Sequence, residues 1–432
     1  MDRPRDLTHP RDEILHTMER IYRYRMTTTS GGNLSIRDDD GSVWITPARV
    51  DKGSLRRDDV IRVRPDGTAD GPHRPSSEFP FHRAVYAARP DLRAIVHAHP
   101  VALVAFSICR RVPDTRVLPQ PRRICGTVGF APYALPGSEA LGRNIAETFA
   151  GGADCVVLEN HGVVTGGADL LNAFERFETL EFAAKTVIKA SLLGEVRYLS
   201  DEQAARPRPT AMNPPAGRAD SPCSAEKELR GQLCEFVRRS YRQRLMISTV
   251  GAFSARLDDE SFLITPHRVD RHALDPRDIV LVRRGAPESG KTPSSAGRSH
   301  QAVYDAHPSI QAVVNAYPVN ATAFSVTAAP LDTRTIPESY IFLRDVGRIP
   351  YGARSGDGHD LAALASPRSP ILILENDGVM VCGTGVLDAF DRLEVLESTA
   401  EAIINALSMN RGTIHRMPDS VIAELNEAFG LT

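Results

Sequence analysis

Four residues of this 432-residue chain have types and spacing that could do chemistry together: His97 and His99 in A-I-V-H-A-H-P-V, His161 in L-E-N-H-G-V-V, and Glu78 in P-S-S-E-F. His97 and His99 stand two apart on a β-rich run, where alternate side chains leave the same face. Both imidazoles can therefore converge on one point above the sheet. His161 follows a second apolar strand and directly precedes Gly162, at a strand end of the kind where sites collect in α/β sheets. Three neutral imidazoles and an open position describe a Lewis-acid site for Zn²⁺ or a similar divalent ion. An isolated H-x-H is as readily an incidental strand pair, so a reason to choose must come from elsewhere in the chain.

The chain supplies one by repeating itself. ITPARVD at 45–51 returns as ITPHRVD at 264–270, PSSEFPFHRAVY at 75–86 as PSSAGRSHQAVY at 293–304, and LENHGVV at 158–164 as LENDGVM at 374–380. In the second copy Asn315, Tyr317 and Asp377 replace the three histidines, and Ala296 replaces Glu78, while the apolar and glycine positions around them persist. Folding does not demand histidine or glutamate at these places, and four candidates lost together behave as one functional unit. His82 returns as His300 and Glu159 as Glu375. Their survival in the copy without the set favours a packing histidine and a structural carboxylate.

The elements that must position these residues alternate within each copy. SVWITP and DVIRVRPDG look like strands ended by turn residues, SEFPFHRAVYAARP like a helix stopped by proline, and LRAIVHAHPV like a short strand. Ser138 is placed to cap a following helix, and CVVLENHG is a further strand. LLNAFERFETLEFAAKTVIKASLLG reads as a long amphipathic helix with Leu171, Phe174, Phe177 and Leu180 on one stripe. The expectation is an α/β fold, a layered domain present twice in tandem. Its bounds are 1–205 for the metal-binding copy, 206–226 for a Pro/Ala-rich semi-extended linker, and 227–432 for the degenerate copy.

Composition narrows the partners. The net charge is −2 with basic residues dispersed, which gives nucleic acid or an anionic membrane no electrostatic footing. No run of eighteen apolar residues occurs and the first residues are charged, so a soluble, unexported protein is expected. Six cysteines without a C-x-x-C spacing read as reduced thiols, in keeping with a cytoplasmic location.

The motifs S-G-G-N-L-S, I-T-P, P-S-S-E, H-A-H-P and E-N-H-G, in that order, resemble the class II aldolase/adducin family, of the fuculose-phosphate aldolase kind. The resemblance spans nearly all of the first copy and, weakened, the second. It implies a central sheet flanked by helices, a fourfold ring of subunits with sites between neighbours, and a small hydroxy-carbonyl substrate such as a sugar or sugar phosphate. It also implies that His97, His99 and His161 hold a divalent metal, zinc first, with manganese, iron or cobalt as alternatives. Glu78 would then move the proton as the metal stabilises an enediolate.

The match departs after I-T-P, where family members that grip phosphate carry Thr or Ser and then Gly. Here Ala48 and Arg49 stand instead. Asn33, Ser76 and Ser77 remain as donors for an anion, and Arg49 could add a charge-assisted fork for phosphate or carboxylate. Arg268 and the pair Ser294 and Ser295 persist in the second copy, so a structural role for these positions stands equally open. The family's proton-donor tyrosine has no clear counterpart: Arg122 faces Tyr340 in the repeat register, and Tyr198 reads as a half-buried aromatic. The leading expectation is a metal-dependent aldolase-type lyase. Epimerase, dehydratase, decarboxylase or Fe(II) oxygenase chemistry on the same scaffold is the alternative, and an adducin-like non-catalytic scaffold is a third. The second copy is expected to act as a built-in neighbour, so that a homodimer forms a pseudo-fourfold ring.

Overall fold

The computed structural model describes residues 7–206, 212, 221–353, 358–409 and 413–431. Contacts divide the chain into two units, one within residues 2–116 and 120–185, the other within 117–119 and 186–432. Most of the expected linker at 206–226 lies outside the described residues, and its last three positions already belong to a helix that begins at Ser224.

The first unit is built on strands β1 (Asn33–Arg37), β2 (Val43–Ile45), β3 (Ile61–Val63), β4 (Ala69–Asp70), β5 (Ala94–Ala98), β6 (Val128–Ala131), β7 (Cys155–Leu158) and β8 (Gly162–Gly167). They form one eight-stranded sheet in the order β4-β3-β2-β1-β5-β8-β7-β6. The β6–β7 pair is parallel and the others are antiparallel, so the sheet is mixed. Helices α1 (Pro10–Arg23), α2 (Phe79–Ala88), α3 (Val101–Ile108), α4 (Pro119–Cys125), α5 (Glu139–Ala150) and α6 (Leu170–Ser191) are interleaved with the strands.

Period-two alternation along the central strand creates the layers. Ala94, Val96 and Ala98 of β5 join Ile14, Met18 and Ile21 of α1 and Phe174, Phe177 and Leu180 of α6 in one buried cluster. Ile95 joins Phe81 and Val85 of α2 and Leu141, Ile145 and Phe149 of α5 in another. Helices thus cover both faces. The α6 stripe runs through fully buried Leu170 rather than half-buried Leu171, a shift of one position on the 3.6-residue period. Each such ring or branched side chain contributes about 1.5–3 kcal/mol by leaving water. Ser138 caps α5 as expected, its side chain accepting from the Leu141 N–H at 3.2 Å.

The second unit repeats the plan. A short helix α7 (Asp201–Ala205) precedes α8 (Ser224–Arg242), and strands β9 (Ala252–Asp258), β10 (Ser261–Ile264), β11 (Val280–Arg283), β12 (Ala286–Pro287), β13 (Ala312–Ala316), β14 (Val346–Ile349), β15 (Ile371–Leu374) and β16 (Gly378–Gly383) follow. Their order, β12-β11-β10-β9-β13-β16-β15-β14, is the first sheet's order renumbered. Helices α9 (Gly297–Ala306), α10 (Val319–Ser325), α11 (Pro337–Leu343), α12 (His359–Leu364), α13 (Val386–Met409) and α14 (Asp419–Phe429) complete it. Arg122 on α4 and Tyr340 on α11 occupy the same place in equivalent helices, the fourth residue of each.

Candidate metal centre

The site forms where the end of β5 meets the β7–β8 hairpin. His97 faces the α2 side of the sheet, fully buried, with its ring edge-on to Phe81 at 5.5 Å. The strand ends at Ala98, so His99 stands one residue beyond it, on the turn into α3. Antiparallel pairing of β5 with β8 sets Ala98 opposite Val163 and carries the hairpin tip over the same point. At that tip Asn160 adopts a left-handed φ of 53° and His161 N–H closes on Leu158 O at 3.1 Å. The hairpin, not a parallel-sheet crevice, is what delivers the third imidazole.

The rings of His97, His99 and His161 lie 4.9–5.0 Å apart. Their ligand atoms all fall within 4.8 Å of one another, so the three could hold a metal ion. His97 Nδ1–H donates to Val163 O at 3.0 Å, which leaves the Nε2 lone pair facing the cluster, 3.2 Å from His99 Nε2. A backbone carbonyl that fixes the tautomer in this way is the usual support of a ligating histidine. Glu78, at the N-cap of α2, aims its carboxylate at the same point: Oε2 is 3.2 Å from His97 Nε2 and Oε1 3.5 Å from His161 Nε2. Oε1 is buried without a hydrogen bond, an orphaned anion that a cation would satisfy. The donor set of three imidazoles and one carboxylate fits a divalent metal.

Electrostatics prepare the set. Burial, then the charge of His97 and of His161, pushes the His99 pKa down to about 3. Burial, then His97, lowers His161 to about 4. Both imidazoles are therefore neutral and able to ligate at ordinary pH. Burial alone would raise the Glu78 pKa, but the facing His97 and His161 hold it well below the usual carboxylate range. Burial would lower His97, and Glu78 more than offsets it, so that pKa moves up.

Supporting residues explain the rest of the geometry. Glu181 of α6, buried, accepts the otherwise unpaired N–H groups of Ala102 and Leu103 at 3.4 and 3.1 Å, fixing the start of α3 just after His99. Glu159 pairs with Arg110 at 2.6 Å and accepts from Tyr133 N–H at 2.9 Å, and Glu375 pairs with Arg348 at 2.8 Å in the second unit. Ser76 Oγ accepts the Glu78 N–H at 3.2 Å, and Ser294 Oγ accepts the Ala296 N–H at 3.3 Å, so this serine shapes the helix entry in both units. Lys52, which sequence reasoning missed, is buried beneath the I-T-P loop and donates to Pro47 O at 2.7 Å. Burial lowers its pKa to about 8.

The candidate anion donors are arranged unevenly. Pro47 bridges Pro75, and Ala48 N–H donates to Arg74 O at 3.0 Å, which sets the Arg49 loop beside Ser76 and Ser77. Arg49 and Ser77 are exposed. Arg49 has a φ of 56° and Arg268 one of 53°, the left-handed conformation that glycine would adopt without strain. Asn33 is turned inward, 3% exposed, with its amide donating to Glu78 Oε2 at 2.7 Å. Tyr198 lies beyond the end of α6 and is 40% exposed.

In the second unit the equivalent space is filled. Tyr317, buried, donates its hydroxyl to Asp377 at 3.0 Å where two imidazoles stood, and Ala296 is 1% exposed. One substitution was legible but missed: aligning S-G-G-N-L-S on T-V-G-A-F-S sets Ala252 against Asn33.

The profile of the Class II Aldolase and Adducin N-terminal domain matches residues 12–188 and again residues 231–404. A 3-oxo-tetronate 4-phosphate decarboxylase of Haemophilus influenzae is 34% identical over 197 residues, 44% of this chain and 92% of its own length. An L-fuculose phosphate aldolase of Methanocaldococcus jannaschii is 29% identical over 176 residues, 41% of this chain and 94% of that one. A solved L-fuculose 1-phosphate aldolase is 31% identical with a TM-score of 0.42, covering 45% of this chain and 92% of its own.

Proposed function

The chain belongs to the class II aldolase and adducin family, and on that premise we propose that it is a divalent-metal-dependent lyase of aldolase type acting on a small hydroxy-carbonyl compound. The observation that carries this reading is the convergence of His97, His99, His161 and the orphaned Glu78 carboxylate, all four of which the second copy replaces together. A bound divalent ion, zinc by the imidazole-rich donor set, would supply Lewis acidity toward a carbonyl and its neighbouring hydroxyl. Glu78, ionised and within reach, would take a proton from the substrate hydroxyl and return it to the developing carbanion. Arg49, Ser76 and Ser77 would receive an anionic substituent, and the relatives named for phosphorylated substrates keep phosphate the first candidate.

Metal analysis of the purified full chain tests the reading: one divalent ion per chain, lost in His97→Ala, is expected. Two ions per chain, or none, would sink it. A decarboxylase is the second reading, favoured by the relatives of that name at 31–34% identity. Release of CO₂ rather than an aldehyde from 3-oxo and 2-oxo sugar-acid phosphates would select it. Free thiols at all six cysteines fit a reducing compartment. Among the described residues no helix is long and apolar enough to cross a membrane.

The second copy is proposed to be a built-in neighbour within a homodimeric pseudo-fourfold ring. Support comes from one face seen twice. In the second unit Arg197 N–H donates to Val326 O at 2.8 Å, Tyr351 hydroxyl to Gln203 O at 2.8 Å, and Asn376 to Arg197 O at 2.9 Å, so chain following α6 covers that face. The matching positions of the first unit, Ile108 and Tyr133, are 64% and 57% exposed. A second copy of the chain, offering the stretch that follows α13, is the occupant the repeat supplies.

A further inference from the structure

A buried line of hydrogen bonds ends on Glu78. Tyr86 hydroxyl meets Ser35 Oγ at 2.7 Å, Ser35 Oγ meets His82 Nδ1 at 2.7 Å, and His82 Nε2 contacts Asn33 Oδ1. Asn33 Nδ2 then donates to Glu78 Oε2 at 2.7 Å. Ser35 and His82 are fully buried, and Asn33 and Tyr86 are 3% and 4% exposed. Because the amide nitrogen can only donate, its oxygen must accept from His82 Nε2–H. His82 Nδ1 must then accept from the serine hydroxyl. Every proton in the line points toward the carboxylate, an arrangement that holds an ionised acceptor in one place.

The second unit separates the part of this line that folding needs. Ser254 meets His300 Nδ1 at 2.7 Å and Tyr304 at 2.7 Å, repeating the first steps. His300 Nε2 contacts Asn315 Oδ1 at 2.7 Å. Asn33 is the cross-strand neighbour of His97, and Ala252 that of Asn315, so the amide has moved from one strand to its partner. What survives is an amide oxygen for the buried histidine. What is lost is the N–H directed at position 78, together with the carboxylate itself. The Asn33-to-Glu78 bond therefore belongs to the metal centre and not to the fold.

We propose that Asn33 is a positioning residue, a strut clamped by His82 that fixes the Glu78 carboxylate over the three imidazoles. Its amide oxygen is held by His82, and one of its two N–H groups is directed at the carboxylate. The proposal rests on the reading of Glu78 and the histidines as a metal centre. Neutral His82, its pKa lowered to about 3 by burial and then by the charge of His97, has a single N–H to give, and the Asn33 amide oxygen takes it.

Titration of metal-free full-length protein with Co²⁺, followed by its visible absorption, tests this without a substrate. Asn33→Ala and Glu78→Gln are each expected to weaken Co²⁺ binding about 10-fold or more, the usual cost of losing an outer partner of a metal site. The double variant should bind no more weakly than Glu78→Gln, because Asn33 acts only through that carboxylate. Wild-type affinity in Asn33→Ala, or losses that multiply in the double variant, would overturn the strut. Should Asn33→Ala fail to fold, His82→Phe replaces it. The ring stacked on Phe81 at 4.2 Å is kept and the donor to Asn33 removed, and the same loss with the same non-additivity is expected. Wild-type affinity in His82→Phe would equally overturn the proposal. If Glu78→Gln itself binds Co²⁺ as wild type does, the carboxylate does not support the ion and the strut falls, whereas loss of binding in His97→Ala separately tests the three-imidazole site.

Discussion

At the scale of residues, the two copies act as a control for one another. His82 and His300 hold the same bonds to serine in both units, and so belong to the fold. A buried neutral histidine has a consequence for stability. In the unfolded chain His82 titrates near its ordinary pKa, whereas in the folded protein burial and the charge of His97 hold it at about 3. Between those values the unfolded state binds the extra proton. Its contribution is therefore complete above about pH 6.5 and is lost as pH falls toward 3, at up to about 1.4 kcal/mol per pH unit. Chemical unfolding of the metal-free protein from pH 7 to 4 should show this slope added to those of His99 and His161, whose pKa values are lowered in the same way, and His82→Phe should lessen it. An unchanged slope in His82→Phe would remove His82 as its source.

Elements set how closely imidazoles can gather. The hairpin tip reaches β5 only because Gly162 has no side chain: a Cβ there would lie 2.6 Å from Ala98 O and 2.6 Å from His99 Cδ2. Gly378 stands in the same place in the second unit, where a Cβ would meet Ala316 O at 2.6 Å and Tyr317 Cδ1 at 2.8 Å. Alanine at either position should cost about 1–3 kcal/mol of stability, since strand or ring must move. Only Gly162→Ala should also weaken Co²⁺ binding, and wild-type affinity in that variant would show that the close approach of the hairpin does not set His161 against His99. Glu181 acts on the other side of the same turn. Glu181→Ala leaves two buried N–H groups of α3 unpaired and should lower the unfolding free energy by about 2 kcal/mol or more. A denaturation midpoint equal to that of wild type would exclude the cap.

At the scale of the whole molecule, the exposed face of the first unit predicts self-association. Ile108→Asp replaces a side chain 64% open to solvent and should leave the fold and the metal content intact. It should move the species measured by light scattering from a dimer to a single chain of 47.2 kDa. A dimer that persists in Ile108→Asp would place the interface elsewhere. The repeat, the candidate ligands His97, His99, His161 and Glu78, and the alternation of strand and helix could all be read from the chain. Periodicity and residue chemistry are local properties, and a duplicated domain exposes whatever the fold does not require. The mostly antiparallel pairing, the hairpin that brings His161 to His97, and the inward turn of Asn33 could not. They depend on which strands become neighbours, and a residue cannot show in sequence that its hydrogen bonds go to partners 45 and 49 positions away. The sequence by itself determined that three imidazoles and a carboxylate stand in one copy of a repeated domain and are replaced together in the other. Only the tertiary structure decided which groups hold that set in place, because long-range pairing chooses each partner.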